Sequence, residues 1–240
     1  TSIPSGLFNS NLEELDVSGT ILTDNASSNF FLINQLSNTL TFFGATGSQI
    51  DELPNELFEC TLLDDLRLDN NNFQKVDERL NQLTELERLY FGTVDVSVNN
   101  SLPDFNNLIN LSVVYFRHND TSGSGFNYSD IVTNWIGLKS FQSFQSFNAF
   151  CRTDAQLNAF IPYFYQLCTE NGFLDPSSQA AIDSGYPYQF RAITWGHSSL
   201  NVDTPIQAPA GFTPGVFFGN AQTNGERVYE LGVNYAHVIN

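Results

Sequence analysis

Leu63-Asp64-Asp65-Leu66-Arg67-Leu68-Asp69-Asn70-Asn71-Asn72-Phe73 is the stretch that decides the fold. Its apolar residues stand at the first, fourth, sixth and eleventh positions, and asparagine stands at the ninth. The same spacing returns from Leu12, Leu40, Leu86 and Leu111, and in degraded form from Leu138, at intervals of 23 to 28 residues. Self-similarity at such a period marks a stacked array of short supersecondary units. The alternation through Leu66 and Leu68 has the period of a strand. Each copy therefore supplies one strand, and it must stack on its neighbours because it cannot bury its own apolar face.

The copies differ most at the ninth position, which holds Thr20, Ser48, Asn71, Val94 and Asn119 in turn. An asparagine there can satisfy backbone groups of the turn leaving the strand, which would otherwise be buried and unpaired. Thr and Ser can do part of that work and Val94 none, so the fourth turn is expected to be the odd one. Leu66, Leu68, Leu89, Phe91, Val114 and Phe116 are expected to be buried in successive rungs, with Asn71 and Asn119 bonded to turn backbone. The sixth copy, Leu138 to Ser143, runs into a series Phe141, Phe144, Phe147 and Phe150.

Between strands, Ile50-x-x-Leu53-Pro54-x-x-Leu57-x-x-Cys60-x-x-Leu63 parallels Phe73-x-x-Val76-x-x-x-Leu80-x-x-Leu83-x-x-Leu86, and Ile3, Pro4 and Leu7 suggest a half-repeat before Leu12. On these residues, 1–145 resembles a leucine-rich repeat protein of the bacterial or plant-like type with a period of roughly 23 residues. The resemblance implies an α/β repeat fold: a curved solenoid with its parallel sheet on the concave face, binding proteins or other ligands without catalysis. Residues 146–240 would then be a small α+β cap, covering the apolar end that a terminal repeat leaves open.

That region reads as a helix from an N-cap at Thr153-Asp154 through Leu157, Phe160, Ile161, Phe164, Tyr165 and Cys168, with a kink or break at Pro162. Phe190 to Trp195 reads as a strand, Val216 to Phe218 as another, and Glu226 to Leu231 as a short helix feeding a last strand from Val233 to Val238. The stretch from Asn224 to Val238 resembles the closing helix and strand of leucine-rich repeat proteins from Bacteroidetes and their phages.

Nine basic against 26 acidic residues give a net charge of −17. Nucleic acid is disfavoured as a partner, since neutralising phosphates needs clustered Lys and Arg. No apolar run is long enough to span a membrane. The chain contains no Met and opens without a charged segment before an apolar one, which suggests a processed product or a piece of something longer. Low charge with abundant Asn, Ser, Thr and Phe resembles secreted or virion-surface proteins. Of the three cysteines, Cys60 takes the slot of Leu83 and should be a buried apolar residue. Cys151 and Cys168 flank the expected helix, and their pairing is left open. Five Asn-x-Ser/Thr sequons, at Asn25, Asn99, Asn110, Asn119 and Asn127, are read as chance in so Asn-rich a chain.

Concave side chains should come from the third, fifth and seventh positions: Glu14, Asp16 and Ser18; Phe42, Gly44 and Thr46; Asp65, Arg67 and Asp69; Arg88, Tyr90 and Gly92; Val113, Tyr115 and Arg117. Arg67, Arg88 and Arg117 are three of the nine basic residues, and Tyr90 and Tyr115 sit at positions equivalent to Arg67. Arg and Tyr are enriched where interfaces hold their binding energy. The candidate ligand-binding residues are thus Arg67, Asp69, Arg88, Tyr90, Tyr115, Arg117 and the adjoining His118. An exposed sheet can carry such residues simply to solvate itself, and Arg–Asp pairs at a surface are worth little.

His118, His197 and His237 are scattered and match no nucleophile or metal motif. Asp64, Asp65 and Asp69 hold the oxygens calcium prefers, but neighbours on a strand face opposite ways, so no metal or cofactor is expected. The expected function is a non-catalytic recognition or adhesion module, binding a protein or glycan on a cell or virion surface. The alternative is a structural subunit of a virion or surface assembly. The edge strand from Leu12 to Val17, with Ile3, Leu7 and Phe8 behind it, is expected to pack on an upstream domain or another copy.

Overall fold

In the computed structural model, residues 2–22, 29–120 and 123–135 are described, with the strand backbone at 144–148, 190–196, 218–219 and 227–233 and isolated helical positions within 155–166. Five parallel strands, β1 (Glu14–Asp16), β2 (Phe42–Gly44), β3 (Asp65–Arg67), β4 (Arg88–Val94) and β5 (Val113–His118), form one sheet in sequence order. Leu15, Phe43, Leu66, Leu89 and Val114 lie in one register row and all are buried. The fold is a leucine-rich repeat solenoid, as the spacing required.

The return paths are short 3-10 helices at Ser5–Asn9, Phe30–Leu36, Asn55–Glu59 and Glu78–Gln82. Pro4 and Pro54 immediately precede two of these, where a missing N–H costs nothing. Leu57 and Leu80 occupy equivalent buried positions in successive paths, as do Cys60 and Leu83. Burial pushes the Cys60 thiol up to about 12, so it stays protonated and behaves as the apolar residue its slot implies. Phe30 stacks on Phe43 at 5.4 Å, and Phe73 meets Phe91 in a tilted pair at 4.5 Å, tying the returns to the sheet.

Asn71 is the internal fastener. Its Oδ1 accepts from the N–H groups of Ser48 and Ile50, both at 3.0 Å, and its Nδ2 donates to the carbonyls of Ala45 and Leu68, both at 2.8 Å. Ser48 donates its hydroxyl to Val17 O at 3.2 Å, which reproduces one of those four bonds. The first three turns each have a left-handed residue at the eighth position: Gly19, Gly47 and Asn70, with φ of 73, 66 and 57°.

The fourth copy departs from this pattern, as Val94 implied. Its eighth residue is Thr93, a β-branched type that avoids positive φ, and the chain runs on as a strand. β4 has seven residues where β1 to β3 have three each. Gly92, at φ 88°, lies beside a bulge: Tyr90 pairs with Tyr115, but Gly92 pairs with Phe116, leaving Phe91 as the extra residue.

The shift overturns two expectations. Val94 pairs with His118, so His118 takes the inward slot and is fully buried, while Asn119 is pushed to the surface. Asn119 bonds Asp95 rather than turn backbone; the Ser97 hydroxyl, then the Asn119 amide and then the Ser97 N–H lower the Asp95 carboxyl below its ordinary range. Leu66, Leu68, Leu89, Phe91 and Val114 are buried as expected; the Phe116 side chain lies outside the described residues.

Beyond β5, Trp135 stacks on Phe105 at 5.8 Å and donates its indole N–H to Pro103 O at 3.0 Å. A second sheet runs β6 (Phe144–Asn148), β7 (Phe190–Gly196), β9 (Arg227–Val233) and β8 (Phe218–Gly219). β6 is parallel to β7, the other pairs are antiparallel, and β6 lies against β5. The Phe190 strand is where the alternation put it. Arg227–Val233 is a strand and not the expected helix: its valines and tyrosine favour an extended chain, and all seven residues pair with β7. Helical backbone appears at Ala155, Gln156, Ala159, Phe160, Pro162, Tyr163 and Gln166, within the expected helix. The sixth repeat, Leu138 to Ser143, and both Cys151 and Cys168 lie outside the described residues.

Candidate functional site: the concave face

Parallel register turns the third and fifth positions into rows crossing the sheet. Glu14, Phe42, Asp65, Arg88 and Val113 form the first row, and Asp16, Gly44, Arg67, Tyr90 and Tyr115 the second. Rows are two residues apart, or roughly 6.6 Å, and neighbours within a row about 4.8 Å.

Asp65 organises the centre. It is almost fully buried, although its position had been read as outward and exposed, because arginine side chains lie over it. Arg67 clamps it with two bonds, Nε to Oδ1 at 3.0 Å and Nη2 to Oδ2 at 2.8 Å. This bidentate geometry raises the Arg67 pKa further above its ordinary value. Held in this way, the Arg67 guanidinium lies 5.2 Å from the centre of the Phe42 ring and 5.3 Å from that of Tyr90. Such cation–π contacts favour a fixed, flat arrangement. Tyr90 continues the platform to Tyr115 at 6.0 Å.

Arg88 is held differently. Its nearest anions are Asp65 Oδ2 at 3.7 Å and Glu87 Oε2 at 3.9 Å, and its guanidinium makes no hydrogen bond to either. Nearly half of the side chain is exposed. At the opposite end of the second row, Asp16 accepts the Ser18 N–H at 2.9 Å. The Ser18 hydroxyl and that backbone bond, with a lesser part from the Arg67 charge, hold its carboxyl below the ordinary range against the opposing effect of burial.

Next to the second row the bulge opens a hollow of about 260 Å³ lined by Thr46, Asp69, Asn70, Gly92, Thr93 and Tyr115. A Cβ at position 92 would stand 3.0 Å from Asp69 Cα and 3.1 Å from Asn70 N, so only glycine allows the backbones to approach so closely.

Of the seven candidates, Arg67, Arg88 and Tyr90 come together as exposed or half-exposed neighbours, and Asp69 lines the hollow beside them. Tyr115 is buried and offers little surface to a ligand. Arg117 pairs through its backbone with Thr93; its side chain lies outside the described residues. His118 is removed from the face: its Nδ1 accepts the Asp120 N–H at 3.2 Å, and Phe126 meets its ring edge-on at 5.2 Å. Asn70 and Thr93 escaped the sequence reading, because a regular repeat would have turned at position 93. The signal was there in Gly92-Thr93, standing where earlier copies place glycine or asparagine second.

No family model matches the sequence, and no curated protein matches it. Among solved structures, a leucine-rich repeat protein of Leptospira interrogans is similar over 67% of this chain and 44% of its own, at 19% identity and a TM-score of 0.43. An internalin of Listeria monocytogenes is similar over 69% of this chain and 55% of its own, at 15% identity and a TM-score of 0.38. The chain spans about half the length of each. Among the described residues no group of His, Cys, Asp and Glu is placed to hold a metal ion, and no helix is long and apolar enough to cross a membrane.

Proposed function

We propose that the protein is a non-catalytic recognition module that binds a partner protein through the concave face and acts at a cell or virion surface, with residues 146–240 as the cap of the solenoid. The observation that carries this reading is the centre of the face. Arg67 and Tyr90 are fixed in place by Asp65 and by stacking, and Arg88 stands beside them with its donors free for a visitor. Rigid aromatic and guanidinium groups bind at low entropic cost, since little is left to order. A structural subunit is the second reading, supported by the edge of β1, which has no outer strand among the described residues, and by Leu7, Ile21 and Phe31, which are each more than a third exposed.

Light scattering on the isolated chain separates the two readings: recognition predicts a monomer, and assembly a closed oligomer or filament. With a purified partner in hand, the Arg88→Ala/Tyr90→Ala double variant should lose affinity by roughly 30-fold or more, equivalent to about 2 kcal/mol. Its unfolding midpoint should barely move, because both side chains reach solvent. Unchanged affinity would place the contact off this face.

A further inference from the structure

Arg88, the Arg67–Tyr90 platform and the hollow follow one another along β4. The first two are separated by two residues and the hollow begins two residues further on, at Gly92. In an extended chain alternate side chains project on one side at the same spacing, about 6.6 Å. We propose that the face reads an extended segment of the partner that carries a carboxylate, a planar side chain two residues on and a small hydroxyl or amide side chain two residues beyond that. This rests on the concave-face reading and adds the chemistry of the ligand.

The first element follows from unspent hydrogen-bonding capacity. Asp65 is occupied by the two bonds of Arg67, so Arg88 sees it only at 3.7 Å and Glu87 only at 3.9 Å. A guanidinium presents five N–H donors in a fork that fits a carboxylate with two parallel bonds. In a chain of net charge −17 an acidic ligand is repelled from most of the surface; at Arg88 one neighbouring acid, Asp65, is already neutralised by Arg67, and a ligand carboxylate bound by the fork would take the place of the loose 3.9 Å contact to the exposed Glu87. The second element follows from the platform. Tyr90 is half-covered and lies between Arg67 and Tyr115, and its exposed part is apolar ring that suits a ring or a proline. The third follows from the size and lining of the hollow. About 260 Å³ bordered by two threonines, an asparagine, a carboxylate and a tyrosine takes a serine, threonine or asparagine side chain and gives it hydrogen-bonding partners.

The test uses the full chain and two fluorescein-labelled probes, acetyl-Glu-Ala-Tyr-Ala-Ser-amide and the same peptide with Gln for Glu, read by fluorescence polarisation. The wild type should bind the Glu probe about ten-fold more tightly than the Gln probe. Arg88→Gln should bind the two alike, and Arg88→Lys should restore part of the difference as a point charge without the fork. Thr46→Phe, which fills the hollow, should weaken the Ser-ended probe and leave an Ala-ended one unchanged. Circular dichroism confirms that each variant is folded. Equal binding of the two probes by the wild type, no binding of either at millimolar concentration, or a Glu preference that survives Arg88→Gln would each overturn the proposal. So would Arg88-dependent binding of an oligogalacturonate in place of the peptide, which would make the ligand an acidic saccharide. If the Arg88→Ala/Tyr90→Ala variant loses the partner while the probes show no preference, the concave-face reading stands and this inference alone fails.

Discussion

At the scale of single residues, stability is concentrated where one side chain serves several backbone groups. Asn71 satisfies two N–H and two C=O groups in the buried turn between the second and third copies. Unpaired buried polar groups cost about 1–3 kcal/mol each. Asn71→Ala should therefore lower the unfolding free energy by roughly 3–5 kcal/mol in urea titration, and Asn71→Ser by less. Its neighbour Asn72 is exposed and makes one long bond, to Gln49 O at 3.5 Å; Asn72→Ala should change stability by no more than about 0.5 kcal/mol. Equal losses at the two positions would show that the asparagine is not a fastener. This much was legible in the sequence, since a ninth-position asparagine behind Leu66 and Leu68 has nowhere to point but inward. The burial of Asp65 was not. Carboxylates read as solvent-facing, and only the two bonds from Arg67 explain why this one is covered.

At the scale of elements, the register of β1 to β3 follows from the leucine spacing, whereas the shift between β4 and β5 follows from backbone conformation, to which that spacing is blind. A left-handed eighth residue ends each early strand; Thr93 cannot adopt that conformation, so β4 runs on and takes its bulge beside Gly92. Side-chain polarity predicts Asn119 inside and His118 outside, and one extra residue reverses both. The conformation can be tested directly. Gly92→Val places a branched side chain at φ 88° against the backbone of Asp69 and Asn70, and should cost about 2–4 kcal/mol in urea unfolding. Gly6→Ala, in a 3-10 helix with open space around it, should shift stability by about 0.5 kcal/mol or less. A Gly92→Val variant as stable as the wild type would mean that the strand passes position 92 without the left-handed turn.

At the scale of the molecule, the two ends of the first sheet are unlike. β5 has β6 against it, while among the described residues β1 has a strand neighbour on one side only. The N-terminal half-repeat covers more than the sequence suggested. Ile3 and Phe8 are buried, and the Asn29 amide ties Ile3 O at 2.8 Å, so of the three apolar residues expected to need cover only Leu7 remains exposed. The outer hydrogen-bonding groups of β1 are the larger open feature. Hydrogen exchange on the verified monomer should therefore show the amides of β1 that face away from β2 exchanging much faster than those of β3. Uniform strong protection through residues 3–17 would show that the end closes itself.

The fastened turns also set how such a chain can lengthen over generations. Copies one to three share a left-handed hinge and a strand of three residues, so tandem duplication of any one of them would add a rung with the same exit geometry and widen the face. Duplicating the fourth would instead place its bulge, and the hollow beside it, inside the coil and throw every later rung out of step by one residue. Duplication is thus compatible with the register on the side of β1 and disrupts it at β4, and the hollow stays with the rung that cannot be repeated in step.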